Sequence, residues 1–242
     1  MLGSFPLLSS SPVARAMNYL AHARQHLNHP YVVAGTALPD WLNVCDRRLR
    51  VRRRHAEPFL SHPDESLAAI ARGVRQHHDD DAWFHQTPAF AQLSLEMTVR
   101  VREALAGDEG MRVYFLGHIL VELLLDAALA AADPQLLDRY YQALSTVDPA
   151  RVAGAVRQMS GRPAPPLAAW IPRFIAERFL WDYADDDKLL WRLNQVMRRV
   201  GLAPLPARLT QIFPAARRQV AQQTIPLLTP AEQGTASAAE AK

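Results

Sequence analysis

Residues 73–85, GVRQHHDDDAWFH, bring three histidines and three aspartates into thirteen positions. If this segment is helical, His77, Asp81 and His85 recur every four residues and lie along one face. Imidazole nitrogens and carboxylate oxygens on one stripe are the donors that a divalent transition metal accepts. The alternative is a solvated charge run on the surface. The same helical periodicity directs the other polar residues of the segment away from this face, so we expect them to face solvent or to contact the ligands from behind: His78, Asp79 and Asp80.

A second stripe lies in the apolar stretch GHILVELLLD, where His118, Glu122 and Asp126 again repeat every four residues. A helix this hydrophobic is expected to be buried on most sides. Buried carboxylates cost several kcal/mol each unless they are paired or bind a cation. The stripe therefore needs a partner, which is either a metal ion or a hydrogen-bond network with arginines such as Arg100 or Arg102.

The N-terminal segment offers two further donors. All nine histidines precede residue 119, so the first half of the chain is where chemistry is expected. His22 lies four residues after Asn18 on the first predicted helix, and Asp40 follows Pro39, where proline is expected to end the second segment. If both stripes face each other, a mixed nitrogen and oxygen site for one or two Zn, Mn or Fe ions results. Six residues are the expected metal ligands: His22, Asp40, His77, Asp81, His118 and Glu122.

Composition limits the class of protein. The chain has 242 residues, of which 49% are hydrophobic, and a formal charge of only +3. Length and hydrophobic content favour one domain with a sizeable core. A single cysteine, Cys45, excludes an internal disulfide framework and fits a reducing compartment, so we expect a cytoplasmic protein. No transmembrane segment is expected, because the most apolar run contains His118, Glu122 and Asp126.

The pattern along the chain predicts an all-α fold. Apolar residues recur at helical spacing between proline and glycine breaks, and no alternation typical of a sheet is evident. We expect one compact multi-helix domain over residues 17–228, after an N-terminal extension at 1–16 that places the native start at either Met1 or Met17. Residues 229–242 are small and polar, so a disordered tail is expected. The predicted helices include 88–105, 111–132, 167–183 and 209–228.

Three motifs carry a resemblance to a known family. The segments Asn18–His22, Ala34–Asp40 and Gly73–Asp81 resemble, in order and rough spacing, the acyl carrier protein phosphodiesterases, which are related to the HD-domain metal-dependent phosphohydrolases. The resemblance extends from residue 17 to about residue 222. It implies an HD-domain-like helical bundle and a metal site. The positions that correspond to the family's motif residues are His22, Asp40, His77, Asp81 and His118.

The chain departs from that family beside the expected ligands. His78 stands where the family has arginine, Asp80 replaces an apolar residue, His85 replaces an aspartate, and Gly117 replaces the aspartate before His118. A second, weaker similarity connects His118 and the acidic residue four positions later to zinc-dependent phospholipase C type domains. Both resemblances imply an α-helical metallohydrolase of phosphate esters.

The expected function is that of a metal-dependent phosphodiesterase or phosphohydrolase. Its substrate would be a phosphate ester of phosphopantetheine or lipid type, attacked by a metal-bound water whose pKa coordination lowers. Asp126 and His85 are the expected catalytic residues, either orienting a ligand imidazole or protonating the leaving group. The alternative is a non-catalytic helical protein with buried His/Asp networks or a structural metal.

A basic stretch follows the second segment. Arginine occupies six of the eight positions from 47 to 54. Arg52, Arg53, Arg54 and His55 are expected to bind substrate phosphate or an acidic carrier protein. A solvated surface run is the alternative, and nucleic acid is the least favoured partner.

Overall fold

The computed structural model describes residues 19–105 and 111–230. These residues form α-helices and short 3₁₀ turns without a strand among them, so the predicted all-α fold is confirmed. The expected extension at 1–16 and the end of the expected tail, 231–242, lie outside the described residues. The α-helices are α1 (Tyr19–Ala23), α2 (Pro30–Cys45), α3 (Arg53–Ala56), α4 (Glu65–Phe84), α5 (Pro88–Leu105), α6 (Met111–Ala132), α7 (Leu136–Ser145), α8 (Pro149–Ser160), α9 (Pro165–Glu177), α10 (Asp186–Val200), α11 (Phe213–Gln222) and α12 (Thr224–Leu228).

Helices α2 and α4 cross at two glycines. A Cβ atom built on Gly35 would lie 2.9 Å from the Cα of Gly73 and 2.3 Å from the carbonyl oxygen of Ile70. Only glycine allows the two backbones to approach this closely. The crossing lies about one turn before Asp40 on α2 and before His77 on α4. It therefore brings these two side chains into the same part of the core, where both are buried.

The prediction that Pro39 ends the second segment is wrong. Pro39 lies inside α2, which continues to Cys45. Leu38, Trp41 and Leu42 are all fully buried, and their packing outweighs the cost of an internal proline. Because proline has no N–H, the carbonyl of Gly35 loses its helical donor.

The first helix is shorter than its sequence pattern indicates. The pattern predicts a helix over residues 18–28, whereas α1 ends at Ala23. The amide of His26 bonds the carbonyl of Ala23 at 2.8 Å, an i to i−3 bond that tightens the chain into a turn. His26 therefore does not continue the helical stripe of His22.

Helix α6 is the central helix of the fold. By length and composition, Arg112–Ala132 could cross a membrane: the mean hydropathy of its most apolar window is 1.8, and 67% of that window is buried inside the protein. It packs closely on α5 at Gly117. A Cβ atom built there would lie 2.2 Å from Oγ1 of Thr98 and 2.7 Å from the carbonyl oxygen of Ser94. This contact leaves no room for a larger side chain at the position of Gly117.

The C-terminal half surrounds this core with shorter helices than expected. The predicted helix 167–183 breaks at Arg178, which has a left-handed φ of 45° and ends α9. Arg178 pairs with Asp138, and its guanidinium lies 5.1 Å from the centre of the Tyr141 ring. A 3₁₀ helix, Phe179–Ala184, follows. The predicted helix 209–228 is likewise divided, into a 3₁₀ turn, α11 and α12.

Candidate metal centre

Three side chains from two helices form what we call the inner set: His22, His77 and Asp81. Their ligand atoms all lie within 4.8 Å of one another. Nε2 of His22 is 3.5 Å from Oδ1 of Asp81, and Nε2 of His77 is 3.3 Å from its Oδ2. The side chains of the two histidines are only 3% and 2% exposed. Helix α1 thus delivers one imidazole onto the stripe that α4 presents.

The contacts of His77 show which of its ring nitrogens donates a hydrogen bond. Its Nδ1 lies 2.9 Å from the carbonyl oxygen of Thr36, and a carbonyl only accepts, so Nδ1 donates. In the neutral ring Nε2 then carries a lone pair, and within the described part of the chain it has no hydrogen bond. That lone pair faces the carboxylate of Asp81. The two repel unless a proton or a cation lies between them.

His22 is oriented in the same way by a carboxylate. Its Nδ1 donates to Oδ2 of Asp80 at 3.0 Å. Asp80 is itself held through Oδ1 by Nε2 of Gln76 at 2.6 Å and by Nε1 of Trp83 at 3.4 Å. A carboxylate behind a histidine that faces a metal is a common arrangement, since it orients the ring and strengthens it as a ligand. Asp80 therefore lies behind a ligand, one of the positions that helical phase allowed for it.

The inner set is electrostatically coupled. Burial lowers the pKa of His22, but hydrogen bonds to Asp80 and Asp81 outweigh this effect and raise the pKa to about 10. Burial raises the pKa of Asp81, yet His77 and His22 lower it well below its usual value. A metal that binds here must displace a proton from His22.

Asp40 is the most informative residue of the centre. It is 1% exposed, and neither of its carboxylate oxygens has a hydrogen-bond partner among the described residues. Burial raises its pKa to about 7. His77 of the inner set opposes this shift, and the carboxylates of Asp81 and of Glu122 on α6 add to it. A buried carboxylate without a hydrogen bond is costly, and a bound cation offsets that cost.

A second group, the outer set, consists of His85, His118 and Glu122, whose ligand atoms also lie within 4.8 Å of one another. Nε2 of His85 and Nε2 of His118 are 2.8 Å and 3.0 Å from the same oxygen, Oε1 of Glu122. The two imidazole rings stack at 4.9 Å, and Phe90 lies edge-on to both. The other carboxylate oxygen, Oε2, is buried without a hydrogen bond within the described part of the chain.

The outer set differs from the inner set in exposure. The side chains of His85 and His118 are 30% and 31% exposed, whereas that of Glu122 is 3% exposed. Burial raises the pKa of Glu122, but hydrogen bonds from His118 and His85 lower it overall. Hydrogen bonding to Glu122 also raises the pKa of His85 against the effect of burial. His85, expected as a catalytic residue, is thus placed among possible ligands.

Asp126, the other expected catalytic residue, contacts the start of α1. Its carboxylate accepts hydrogen bonds from the backbone amides of Leu20 and Ala21, each at 3.1 Å. Burial raises its pKa to about 7, and these hydrogen bonds oppose the shift. Amides at a helix start have no intrahelical partner, so Asp126 fixes α1 and with it the position of His22. Of the two expected roles, these contacts favour orientation of a ligand.

The basic segment lies along the flank of α4. Arg53 pairs with Glu57 and Asp79, each at 3.2 Å. The backbone amide of Arg52 and the side chain of Arg54 both contact the ring of His55. Arg52, Arg53 and Arg54 are exposed, and their described contacts place them beside the helix rather than in either set. Their binding of phosphate or of an acidic partner stays a prediction.

Two contributors to the site were not anticipated. The carbonyl of Thr36 orients His77, and the Gly35–Gly73 crossing brings α2 onto α4. A glycine in each of two predicted helices was the available signal for a close crossing. The contact of His77 with a backbone carbonyl could not be predicted, because every residue has such a carbonyl.

Two buried or partly buried His/Asp/Glu groups that could bind a metal ion are therefore present. Their nitrogen and oxygen donors suit Zn, Mn or Fe. Comparisons of the chain with protein-family models, with curated proteins and with solved structures each find no match.

Proposed function

We propose that this protein is a metal-dependent hydrolase of phosphate esters. The observation that carries the proposal is Asp40, a fully buried carboxylate whose oxygens lack hydrogen bonds among the described residues and which interacts electrostatically with both sets. A divalent cation on the inner set would neutralise Asp40 and Asp81 and would accept the lone pair of His77. The chemistry of Asp40, His77 and Asp81 is therefore consistent with a bound cation.

The residues of the centre divide the work of binding and orientation. His22, Asp40, His77 and Asp81 hold a cation, while Thr36 and Asp80 fix the two imidazoles. A divalent cation would polarise a phosphoryl oxygen and lower the pKa of water.

The outer set gives a substrate access to the centre. The exposed parts of His85 and His118 allow a substrate oxygen to approach, while Phe90 limits water on one side.

The choice of phosphate esters rests on the resemblance of three motifs, Asn18–His22, Ala34–Asp40 and Gly73–Asp81, to acyl carrier protein phosphodiesterases. A phosphopantetheine-type or lipid phosphate ester is accordingly the proposed substrate class. The exposed arginines Arg52 and Arg54 add positive charge beside α4 and favour an anionic substrate or partner.

A second candidate is a non-catalytic helical protein with a structural metal. The observation in its favour is the near closure of the inner set, because structural sites are closed whereas catalytic sites keep an open position. If the metal is only structural, the partly exposed histidines of the outer set have no substrate to bind. The two candidates therefore differ in activity and agree in metal content.

The test begins with metal analysis of protein purified without a histidine tag, before and after reconstitution with Mn, Fe or Zn. Hydrolysis of bis-p-nitrophenyl phosphate is then measured. We expect His77→Ala to abolish the activity and His29→Ala, which removes an exposed histidine, to leave it unchanged. Bound metal without hydrolysis would support the structural alternative, and full activity in His77→Ala would remove that residue from the centre.

A further inference from the structure

The two ligand sets are unequal in their access to solvent. The histidines of the inner set are 3% and 2% exposed, and those of the outer set are 30% and 31% exposed. The third member of the inner set, Asp81, is 15% exposed, so solvent reaches this set far less than the outer histidines, and a more enclosed ligand shell exchanges its ion mainly when the protein opens locally. An ion on the outer set needs no such opening.

The two sets also differ in charge. Asp81 is the carboxylate of the inner set, the buried carboxylate of Asp40 interacts electrostatically with that set, and Asp80 lies behind His22. Glu122 is the single carboxylate of the outer set. In a low-dielectric interior each additional carboxylate strengthens the attraction for a divalent cation. Charge therefore favours the inner set for tight binding.

The inner set is more firmly oriented before any ion binds. Nδ1 of His77 is held by the carbonyl of Thr36, and Nδ1 of His22 is held by Asp80. Such contacts behind the ligands increase metal affinity by about 10- to 100-fold. Both outer histidines contact one oxygen of Glu122, which is itself a member of that set.

We infer that the protein binds two divalent ions with different roles: an inner ion retained by His22, His77 and Asp81 and attracted by the buried carboxylate of Asp40, and an outer, exchangeable ion on His85, His118 and Glu122. The outer ion is the one that meets the phosphoryl group. This second part rests on the proposed function. The first part concerns metal binding alone.

The experiment is a titration of metal-free protein with Mn²⁺, followed by calorimetry and by the electron paramagnetic resonance signal of free Mn²⁺. We expect two classes of site whose dissociation constants differ by about tenfold or more. His118→Ala should remove the weak class and change the tight class by less than about threefold, whereas His77→Ala should remove the tight class. A single class of site, or loss of the tight class in His118→Ala, would overturn the inference.

Glu122→Gln serves as a second variant, because it keeps the volume of the side chain and removes its charge. It should also remove the weak class while circular dichroism reports a folded chain. A weak class that survives in Glu122→Gln would count against the outer site.

Inorganic phosphate tests the role of the outer ion. It should bind the protein that holds both ions and should bind His118→Ala, loaded with the inner ion only, at least about tenfold more weakly. Equal phosphate binding by the two proteins would contradict the assignment. Two classes of Mn²⁺ site without any phosphoesterase activity would leave the two-ion inference standing and would instead refute the proposed function.

Discussion

Nε2 of His77 faces Oδ2 of Asp81 at 3.3 Å, one turn apart on α4, while the other ring nitrogen of His77 is committed to a backbone carbonyl. Because a neutral imidazole would direct a lone pair at an ionised carboxylate, either a proton or a cation must lie between these two buried groups. A metal ion that binds here takes the place of that proton.

Asp40→Asn should separate stability from metal binding. Removing a buried charge without hydrogen bonds should raise the free energy of unfolding of the metal-free protein by about 1–3 kcal/mol near neutral pH. The same change should remove the stabilisation that added metal gives. Chemical unfolding with and without Mn²⁺ measures both effects.

Asp187→Asn is the matched control for that variant, since Asp187 is exposed in the first turn of α10. It should alter neither quantity by more than about 0.5 kcal/mol. An Asp40→Asn protein that is less stable without metal and still gains stability from metal would argue that Asp40 has a structural role only.

The stability of the metal-free protein should fall as pH rises. Folding raises the pKa of Asp40 to about 7 and that of His22 to about 10, so the folded state binds more protons than the unfolded state. Stability is then fully present below the unfolded pKa of each group and is lost as pH passes through its folded pKa. The contribution of Asp40 is lost as pH rises to about 7, and that of His22 is lost as pH rises from near neutrality to about 10.

Urea unfolding in the presence of a chelator measures this dependence. We expect a loss of several kcal/mol between about pH 5 and about pH 9. With saturating metal the trend should weaken or reverse, because deprotonated ligands bind metal more tightly. Stability that rises with pH without metal would contradict the arrangement of charges described above.

Three consecutive aspartates on α4 should behave differently. Asp81→Asn removes an inner ligand and should abolish tight metal binding. Asp80→Asn keeps an acceptor for His22 but removes the negative charge behind it, and should weaken tight binding by about 10- to 100-fold. Asp79→Asn should leave it unchanged, because Asp79 pairs with Arg53 and Arg75 on the exposed flank of the helix. Metal titration of the three variants would contradict this order if Asp79 were the most sensitive position.

Asp126 should act on the centre through α1. Asp126→Ala leaves the amides of Leu20 and Ala21 without an acceptor and should destabilise the protein by about 1–3 kcal/mol, with weaker tight metal binding. Asp126→Asn retains one acceptor and should restore most of both properties. Thermal unfolding and metal titration test this role. Normal stability and metal binding combined with lost hydrolysis in Asp126→Ala would indicate the general acid instead.

Much of the candidate centre could be predicted because helical periodicity fixes which side chains share a face. The spacing of four joins His77 to Asp81 on α4 and His118 to Glu122 on α6, and both pairs are in contact. A polar residue in an apolar helix must find a partner, which is why the second stripe was informative.

What the sequence could not reveal depends on tertiary packing. The continuation of α2 through Pro39 follows from the burial of its neighbours rather than from local preference. The contact of the Thr36 carbonyl with His77 depends on how closely α2 crosses α4 at Gly35 and Gly73. The depth of each set, which separates a retained ion from an exchangeable one, depends on the whole bundle.

Calorimetric titration of metal-free, untagged protein with Mn²⁺ or Zn²⁺ shows whether the centre binds metal at all. We expect saturable binding with a heat that varies with the ionisation enthalpy of the buffer, because His22 and Asp40 release protons when the cation binds. The absence of saturable binding by Mn²⁺, Fe²⁺ and Zn²⁺ alike would contradict this expectation, and the two His/Asp/Glu sets would then be buried hydrogen-bond networks.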